Sequence, residues 1–318
     1  MEKKVLVVGG AGYIGGAVTD FLKEKNISFT VYDSLFYEDR FFKQVDFIYG
    51  DVRDHEKLKE ILPNYSHVIW LAAIVGDPAC KIRPDLTIAI NQDAVEWLSK
   101  NYDGRIVFMS TCSVYGKNDS VVNEESELNP LSLYAETKAK AEQFLKNKNS
   151  LIFRLGTVFG VSDTYSRPRM DLAVNYMTAN AVVRGKLSVF GGSQWRPFIH
   201  VRKVGEVIAN FVDAPITGIF NLASFNYQIK DLAEEIGAIT GAEIVYADQK
   251  FQDERNYNAT NEKALKANML GSEKSFTIHD GVDEIYKMVK SKRIKYTEND
   301  VYFNERHVAN LNENGEFK

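Results

Sequence analysis

Tyr134-Ala-Glu-Thr-Lys138 sets a phenol and an ammonium four residues apart. On a helix that spacing puts both on one face. An ammonium beside a phenol stabilises the phenolate and lowers its pKa from the usual value of about 10. A tyrosine tuned this way can take an alcohol's proton while hydride leaves the same carbon. The spacing alone is a weak signal. It recurs at Tyr246/Lys250 and Tyr286/Lys290 in a chain with 16 tyrosines, and those two pairs read as surface-helix residues. Position singles out Tyr134. Upstream of it lies Met109-Ser110-Thr111-Cys112-Ser113-Val114-Tyr115-Gly116, a polar segment closing an apolar run. Carboxyl ends of parallel strands face the ligand crevice, so Thr111 is placed to hydrogen-bond the reacting oxygen.

A hydride acceptor needs its own seat, and the N-terminus supplies one. Val5–Val8 reads as a strand buried on both faces. Gly9, Gly12 and Gly15 follow at three-residue spacing, then a helix to about Lys25 and a second strand, Phe29–Tyr32, ending at Asp33. Glycines let the backbone approach a pyrophosphate, and the helix start offers N–H groups and a positive dipole end. An acid after the second strand can accept both hydroxyls of the adenosine ribose. Asp33 would repel a 2′-phosphate, and no Lys or Arg lies among the glycines or next to Asp33. The expected cofactor is NAD rather than NADP.

The rest of the first half alternates strand and helix. Further strands are expected at Asp46–Tyr49, Val68–Leu71, Ile106–Ser110 and Leu151–Leu155, with helices near His55–Leu62, Ile88–Lys100 and Leu133–Lys146. This predicts an α/β fold, a Rossmann-type doubly wound parallel sheet, with a smaller mixed α/β substrate domain. Residues 1–160 are expected to form the NAD-binding domain, with a return segment near 195–225. Residues 161–194 and 226–318 would form the substrate lobe and tail. A loop at Ser162–Met170 precedes a helix, Leu172–Arg184. A segment with glycines and aromatics, Phe190–Phe198, leads to a short buried run, Phe220–Leu222, and a helix, Ile229–Gly241. The polar tail from about Lys295 reads as a disordered end or a wrapping arm.

The 318 residues, 26% charged and 45% hydrophobic, have an ordinary globular balance, and the net charge of −4 gives no nucleic-acid footprint. No apolar run approaches the ~20 residues of a membrane span, and no secretory signal opens the chain. Two cysteines, Cys80 and Cys112, cannot form a metal cage. The expectation is a cytoplasmic protein without a metal, a membrane or nucleic-acid partners.

The motifs together resemble the extended short-chain dehydrogenase/reductases, within the nucleotide-sugar epimerase/dehydratase group. The matching pieces are Gly9-Gly-Ala-Gly-Tyr13-Ile14-Gly15, Asp33, Asp51-Val52-Arg-Asp54, Leu71-Ala72-Ala73, Thr111 with Val114-Tyr-Gly116, Tyr134 with Lys138, Arg154 with Val158-Phe-Gly160, and Arg196-Pro-Phe-Ile-His-Val201. They run in order along nearly the whole chain. The resemblance implies tightly bound NAD, Tyr134 as acid–base, Lys138 also holding the nicotinamide ribose, and Thr111 as hydroxyl partner. It implies adenine contacts at Asp51 and Val52, although Asp51 or Asp54 could instead cap the next helix. It places Leu71, Ala72 and Ala73 along the cofactor. Asn91 matches an asparagine near the cofactor, with a helix-internal role as the alternative. Asn175, Arg196 and Arg255 match positions that hold the substrate diphosphate, a task suited to arginine's bidentate fork. Arg167 and Arg169 fall in the family's variable loop. The resemblance also implies a homodimer seam from the helices Ile88–Lys100 and Leu133–Lys146.

Departures from the pattern narrow the chemistry. The 4,6-dehydratases carry Thr-Asp-Glu where this chain has Thr111-Cys112-Ser113, so their acid–base pair for eliminating water is missing. Cys112 is either an acid–base beside a ketone or a small buried residue. Pro197 stands where many members have Asp, and Thr157 where many have Asn, both on the substrate side. The segment Ala72–Cys80 resembles a subgroup related to UDP-glucose 4-epimerases and GDP-heptose 4-oxidising enzymes. There Asp77 and Cys80 either lie over the sugar pocket or form a capped turn. The expected activity is oxidation at C4 of a nucleotide-diphosphate sugar through a 4-keto intermediate, as a 4-epimerase. The alternatives are a 4-dehydrogenase or 4-reductase with net redox change, and a non-enzymatic NAD sensor.

Overall fold

Alternate residues of the apolar runs enter different cores. In β1 (Val5–Val8), Leu6 and Val8 pack with Trp70, Phe108 and Ile152 on one side. Val5 and Val7 pack with Ile69, Val107 and Phe153 on the other. A strand covered on both faces needs apolar residues throughout. The computed structural model describes residues 4–247, 256–271 and 276–315. Its first half runs β1, α1 (Tyr13–Glu24), β2 (Phe29–Asp33), β3 (Asp46–Tyr49), α2 (His55–Ile61), β4 (His67–Trp70), α3 (Asp77–Ile82), α4 (Pro84–Ile88), α5 (Ala94–Asn101), β5 (Arg105–Thr111), β6 (Lys117–Val122), α6 (Leu133–Leu145) and β7 (Ser150–Leu155). The second half adds β8 (Thr157–Phe159), α7 (Ala173–Arg184), β9 (Lys186–Phe190), β10 (Trp195–His200), α8 (Val201–Phe211), β11 (Gly218–Leu222), β12 (Phe225–Gln228), α9 (Ile229–Thr240), β13 (Glu243–Ala247), β14 (Asn256–Ala259), α10 (Glu262–Lys266), α11 (Ile278–Lys290) and α12 (Asn304–Glu313).

Seven strands form one parallel sheet in the order β3-β2-β1-β4-β5-β7-β11. Helices cover both faces, the Rossmann-type arrangement expected. The strand order reverses between β1 and β4. Ligands of such sheets bind outside the carboxyl ends at that reversal.

Two local expectations change, and one open alternative is decided. The helix expected over 88–100 starts at Pro84 and passes through a wide π turn, Ala89–Asp93, before α5. Of the expected return segment, β11 joins the large sheet, whereas β10 pairs with β8 and β12 in a separate three-stranded sheet. Val204, Val207 and Ile208 of α8 pack with Val18 and Leu22 of α1, so this helix also belongs to the large core. The tail is an arm rather than a loose end: it forms a turn at Asp300–Tyr302 and then α12. A further core gathers Val174, Leu187, Val189, Leu232, Ile236 and Val282 from α7, β9, α9 and α11.

Candidate active site

The carboxyl ends of the central strands open into a cleft of about 1310 Å³. It starts at the turn after β1. Gly9 has φ +82°, and a Cβ there would lie 2.5 Å from Ala72 N, so only glycine lets this turn meet the end of β4. At Gly15 a Cβ would fall 2.4 Å from Gly10 O. Gly12 precedes α1 without a capping side chain, and the first turn holds no acid. The helix therefore presents bare N–H groups to an anion. Tyr13 and Ile14 continue the wall. The Tyr13 hydroxyl donates to Gly160 O at 2.6 Å.

Asp33 closes β2 and accepts from Ala11 N at 3.0 Å and Leu35 N at 2.8 Å. Burial pushes its carboxyl above the usual range, against the pull of those N–H groups. Further lone pairs remain for hydroxyl donors. Asp51 and Val52 line the cleft beyond it. Burial raises the Asp51 carboxyl, but the Arg53 guanidinium, at 2.9 and 2.7 Å, brings it below its ordinary value. The cap of α2 is Asp54, which accepts from Lys57 N at 3.1 Å. Leu71, Ala72 and Ala73 form the facing wall. A glycine turn, an uncapped helix start and a desolvated acid on one groove fit a dinucleotide.

The candidate reactive groups meet at the end of β5. Thr111, Tyr134 and Lys138 all line the cleft. Ser132 caps α6 by accepting from Ala135 N, so Tyr134 falls in the first turn and Lys138 one turn later. Lys138 is 2% exposed, and its ammonium donates to Met109 O at 2.8 Å. Burial pulls it down to about 8, and Glu142 opposes that shift. Burial holds Tyr134 as a phenol well above the ordinary tyrosine range, the reverse of the lowering expected from Lys138, because desolvation of the phenolate outweighs every opposing group. Asp77 adds to that effect, while Arg169 and a hydrogen bond with Thr111 oppose it. Tyr246 lies on strand β13, exposed and bonded to Glu234, so its expected helix is absent. Tyr286 lies on α11, outside the cleft lining.

Several expected ligand residues stand behind the wall instead of in it. Asn91, on the π turn, bonds both ways with the Ile74 backbone, at 2.8 Å to N and to O. It shapes the β4 end rather than facing the cleft. Asn175 is also buried: its side chain takes Gly160 N and donates to Gly160 O and Arg169 O. Both amides bond to backbone groups, which the residue type alone could not reveal. Cys112 points into the core, its thiol donating to Arg154 O at 3.3 Å, and burial raises its pKa. Cys80 is likewise buried, pushed up to about 12 by burial and donating to Ile74 O. Asp77 does line the cleft and accepts from Ser132 Oγ at 2.6 Å.

On the substrate side the structure places Ser113, Thr157, Arg169 and Arg196 along the cleft. Arg255 lies outside the described residues. The sequence reading missed Tyr257, whose hydroxyl lies 3.3 Å from Ser113 Oγ and whose ring sits under Arg196. It also missed Asn304 and Glu305 of α12, which line the cleft from the far end of the chain. No motif marks either place.

Comparison with known proteins gives the family and the fold. The model of the NAD dependent epimerase/dehydratase family matches residues 5–223. A UDP-glucose 4-epimerase of Rhizobium meliloti (strain 1021) is 28% identical over 314 residues, covering 87% of this chain and 94% of that protein. An N-acetyl-alpha-D-glucosaminyl-diphospho-ditrans,octacis-undecaprenol 4-epimerase of Escherichia coli O157:H7 is 23% identical, covering 92% and 98%. Among solved structures, the UDP-glucose 4-epimerase of Thermotoga maritima with UDP-glucose superposes with a TM-score of 0.78 at 23% identity, over 91% of this chain and 99% of that one. The NAD-dependent NDP-hexosamine 5,6-dehydratase TunA gives 0.77 at 23% identity, over 92% and 100%. Epimerases and dehydratases thus share this fold.

Proposed function

The chain belongs to the NAD-dependent epimerase/dehydratase family, and on that premise we propose that it is a nucleotide-sugar 4-epimerase. It would oxidise the C4 hydroxyl of a nucleotide-diphosphate sugar to a 4-keto intermediate and restore it with inverted configuration. Bound NAD supplies the hydride acceptor and donor. Tyr134 takes the hydroxyl proton and later returns it. The Lys138 ammonium, fixed on Met109 O, favours the phenolate. Thr111 orients the reacting hydroxyl.

The observation that carries this reading is the convergence of Thr111, Tyr134 and Lys138 on the same cleft as Gly9, Gly12 and Asp33. The residues after Thr111 favour a reaction that eliminates no water. Cys112 faces the core with its thiol engaged, and Ser113 is no carboxylic acid. The Rhizobium relative is itself named a 4-epimerase. Arg196, with Thr157 and Ser113, would receive the diphosphate and sugar, joined by Arg255 on the resemblance alone; Asp51 and Val52 would meet the adenine of NAD, and Leu71–Ala73 would run along the cofactor. The outer faces of α5 and α6 would form the seam of a homodimer, and light scattering at micromolar concentration should return twice the chain mass.

The test is a panel of UDP-, GDP-, CDP- and dTDP-sugars, with products read by NMR and absorbance followed at the NADH band. A C4-inverted product without net NADH supports the 4-epimerase. Accumulating NADH or keto sugar would assign a 4-dehydrogenase instead.

A further inference from the structure

The arm at the end of the chain closes on the cleft through one residue. Asn304 is 2% exposed. Its backbone N–H donates to Asp171 Oδ2 at 2.9 Å, and its side-chain amide donates to Val75 O at 2.9 Å. Its side-chain oxygen accepts from the Arg167 guanidinium. Val75 belongs to the wall that follows β4, whereas Arg167 and Asp171 belong to the loop before α7. One asparagine therefore ties two walls of the cleft together. One turn on, His307 Nε2 lies 2.9 Å from Phe36 O, in the loop that follows Asp33.

The same contacts hold a cation beside the first residue of α1. Asp171, besides holding Asn304, takes Arg169 at 2.6 and 3.1 Å. Arg169 is buried, lines the cleft, and lies 6.0 Å from the ring centre of Tyr13, the first residue of α1. The Arg167 guanidinium is close by, 4.7 Å from the Tyr37 ring, and also donates to Val301 O at 2.6 Å, while the Arg167 backbone N–H donates to Glu38 Oε1. Burial, with Arg169 beside it, pulls the Arg167 guanidinium down to about 10. Buried Arg169 and half-buried Arg167 thus stand together near Tyr13, at the uncapped start of α1, where a dinucleotide diphosphate would meet the helix N–H groups.

We propose that the C-terminal arm is a clasp on the bound dinucleotide. Asn304 holds the Arg167–Asp171 loop across the cleft, and Arg169 thereby faces the diphosphate of the cofactor rather than that of the substrate. Release of the cofactor requires the arm to lift. This rests on the reading of the Gly9–Asp33 groove as the NAD site and adds a second wall to it.

The experiment uses the full-length protein. Bound dinucleotide is quantified after denaturation, and exchange is followed with radiolabelled NAD. Asn304→Ala and, separately, His307→Ala should each speed exchange, Asn304→Ala by about tenfold or more, since a retained ligand's affinity resides mostly in its off-rate. Arg169→Met should weaken NAD binding and flatten its dependence on salt. Melting curves by circular dichroism verify that each variant is folded, and His307→Ala keeps the test open if Asn304→Ala is not. If folded variants at both positions exchange at the wild-type rate, the clasp is wrong. If Arg169→Met leaves NAD affinity intact and raises only the KM of the sugar, Arg169 returns to the substrate. If the wild-type chain takes up no NAD at all, the cofactor reading of the groove fails, and the clasp with it.

Discussion

The Lys138 ammonium lies 2.8 Å from the carbonyl oxygen of Met109, and this bond registers α6 against β5. Three residues spaced one turn apart on α6 meet three consecutive residues of β5. Tyr134 meets Thr111, Lys138 meets Met109, and Glu142 accepts from Ser110 Oγ. Glu142 is held in turn by Arg154 of β7, at 2.7 Å. Tyr134 is thus positioned by a helix that a buried ion pair locks onto the sheet.

Tyr134→Phe should lower turnover by ~10²–10⁴, the usual contribution of a positioned acid–base. NAD content should stay at the wild-type level, because the groove from Gly9 to Asp33 is untouched. Unchanged biological activity with NAD still bound would instead favour the sensor reading.

The rate should have an alkaline limb near pH 8. Lys138 sits at about 8 because burial disfavours its charge, so the ammonium proposed to support the phenolate is lost as pH rises through that value. Lys138→Arg keeps a charge at all working pH, so it should remove this limb while lowering the maximal rate. Stability carries the opposite sign. Between about pH 8 and 10.5 the unfolded chain holds a proton that the folded chain has released, so raising pH there favours folding. Relative to Lys138→Met, the wild-type protein should gain roughly 1–3 kcal/mol across that window in urea titrations.

Glu142→Ala should cost about 3–5 kcal/mol of stability, because it strands the buried Arg154 guanidinium. The double variant Glu142→Met/Arg154→Met should recover much of that loss. Equal destabilisation by the single and double changes, read from urea midpoints, would show that the ion pair is not the source.

Asp33→Ala should weaken NAD binding at least about tenfold by calorimetry, since hydrogen bonds to a charged group are the stronger kind. It should also lower the melting temperature, because Ala11 N and Leu35 N lose their acceptor. An unchanged affinity would remove Asp33 from the cofactor site.

The sheet was legible because residues such as Leu6 and Val7 must both be apolar when a strand has two covered faces. The glycine turn was legible because Gly9 has no tolerated substitute where Ala72 N lies against it. Asn91 and Asn175 were ambiguous for one shared reason. An asparagine that serves backbone groups and one that serves a ligand look identical in sequence, and only the positions of Ile74 and Gly160 separate them. Asn304 was invisible because its partners Val75 and Asp171 are more than a hundred residues away, in a tail whose polar composition carries no periodic signal.

The central claim is that hydride leaves C4 and returns to the same sugar. A nucleotide sugar deuterated at C4, selected from the panel as a substrate, tests it most directly. The account predicts a C4-inverted product that retains deuterium at C4, with no build-up of reduced cofactor. Loss of the label from the sugar, or its accumulation on released reduced cofactor beside a keto sugar, would contradict it.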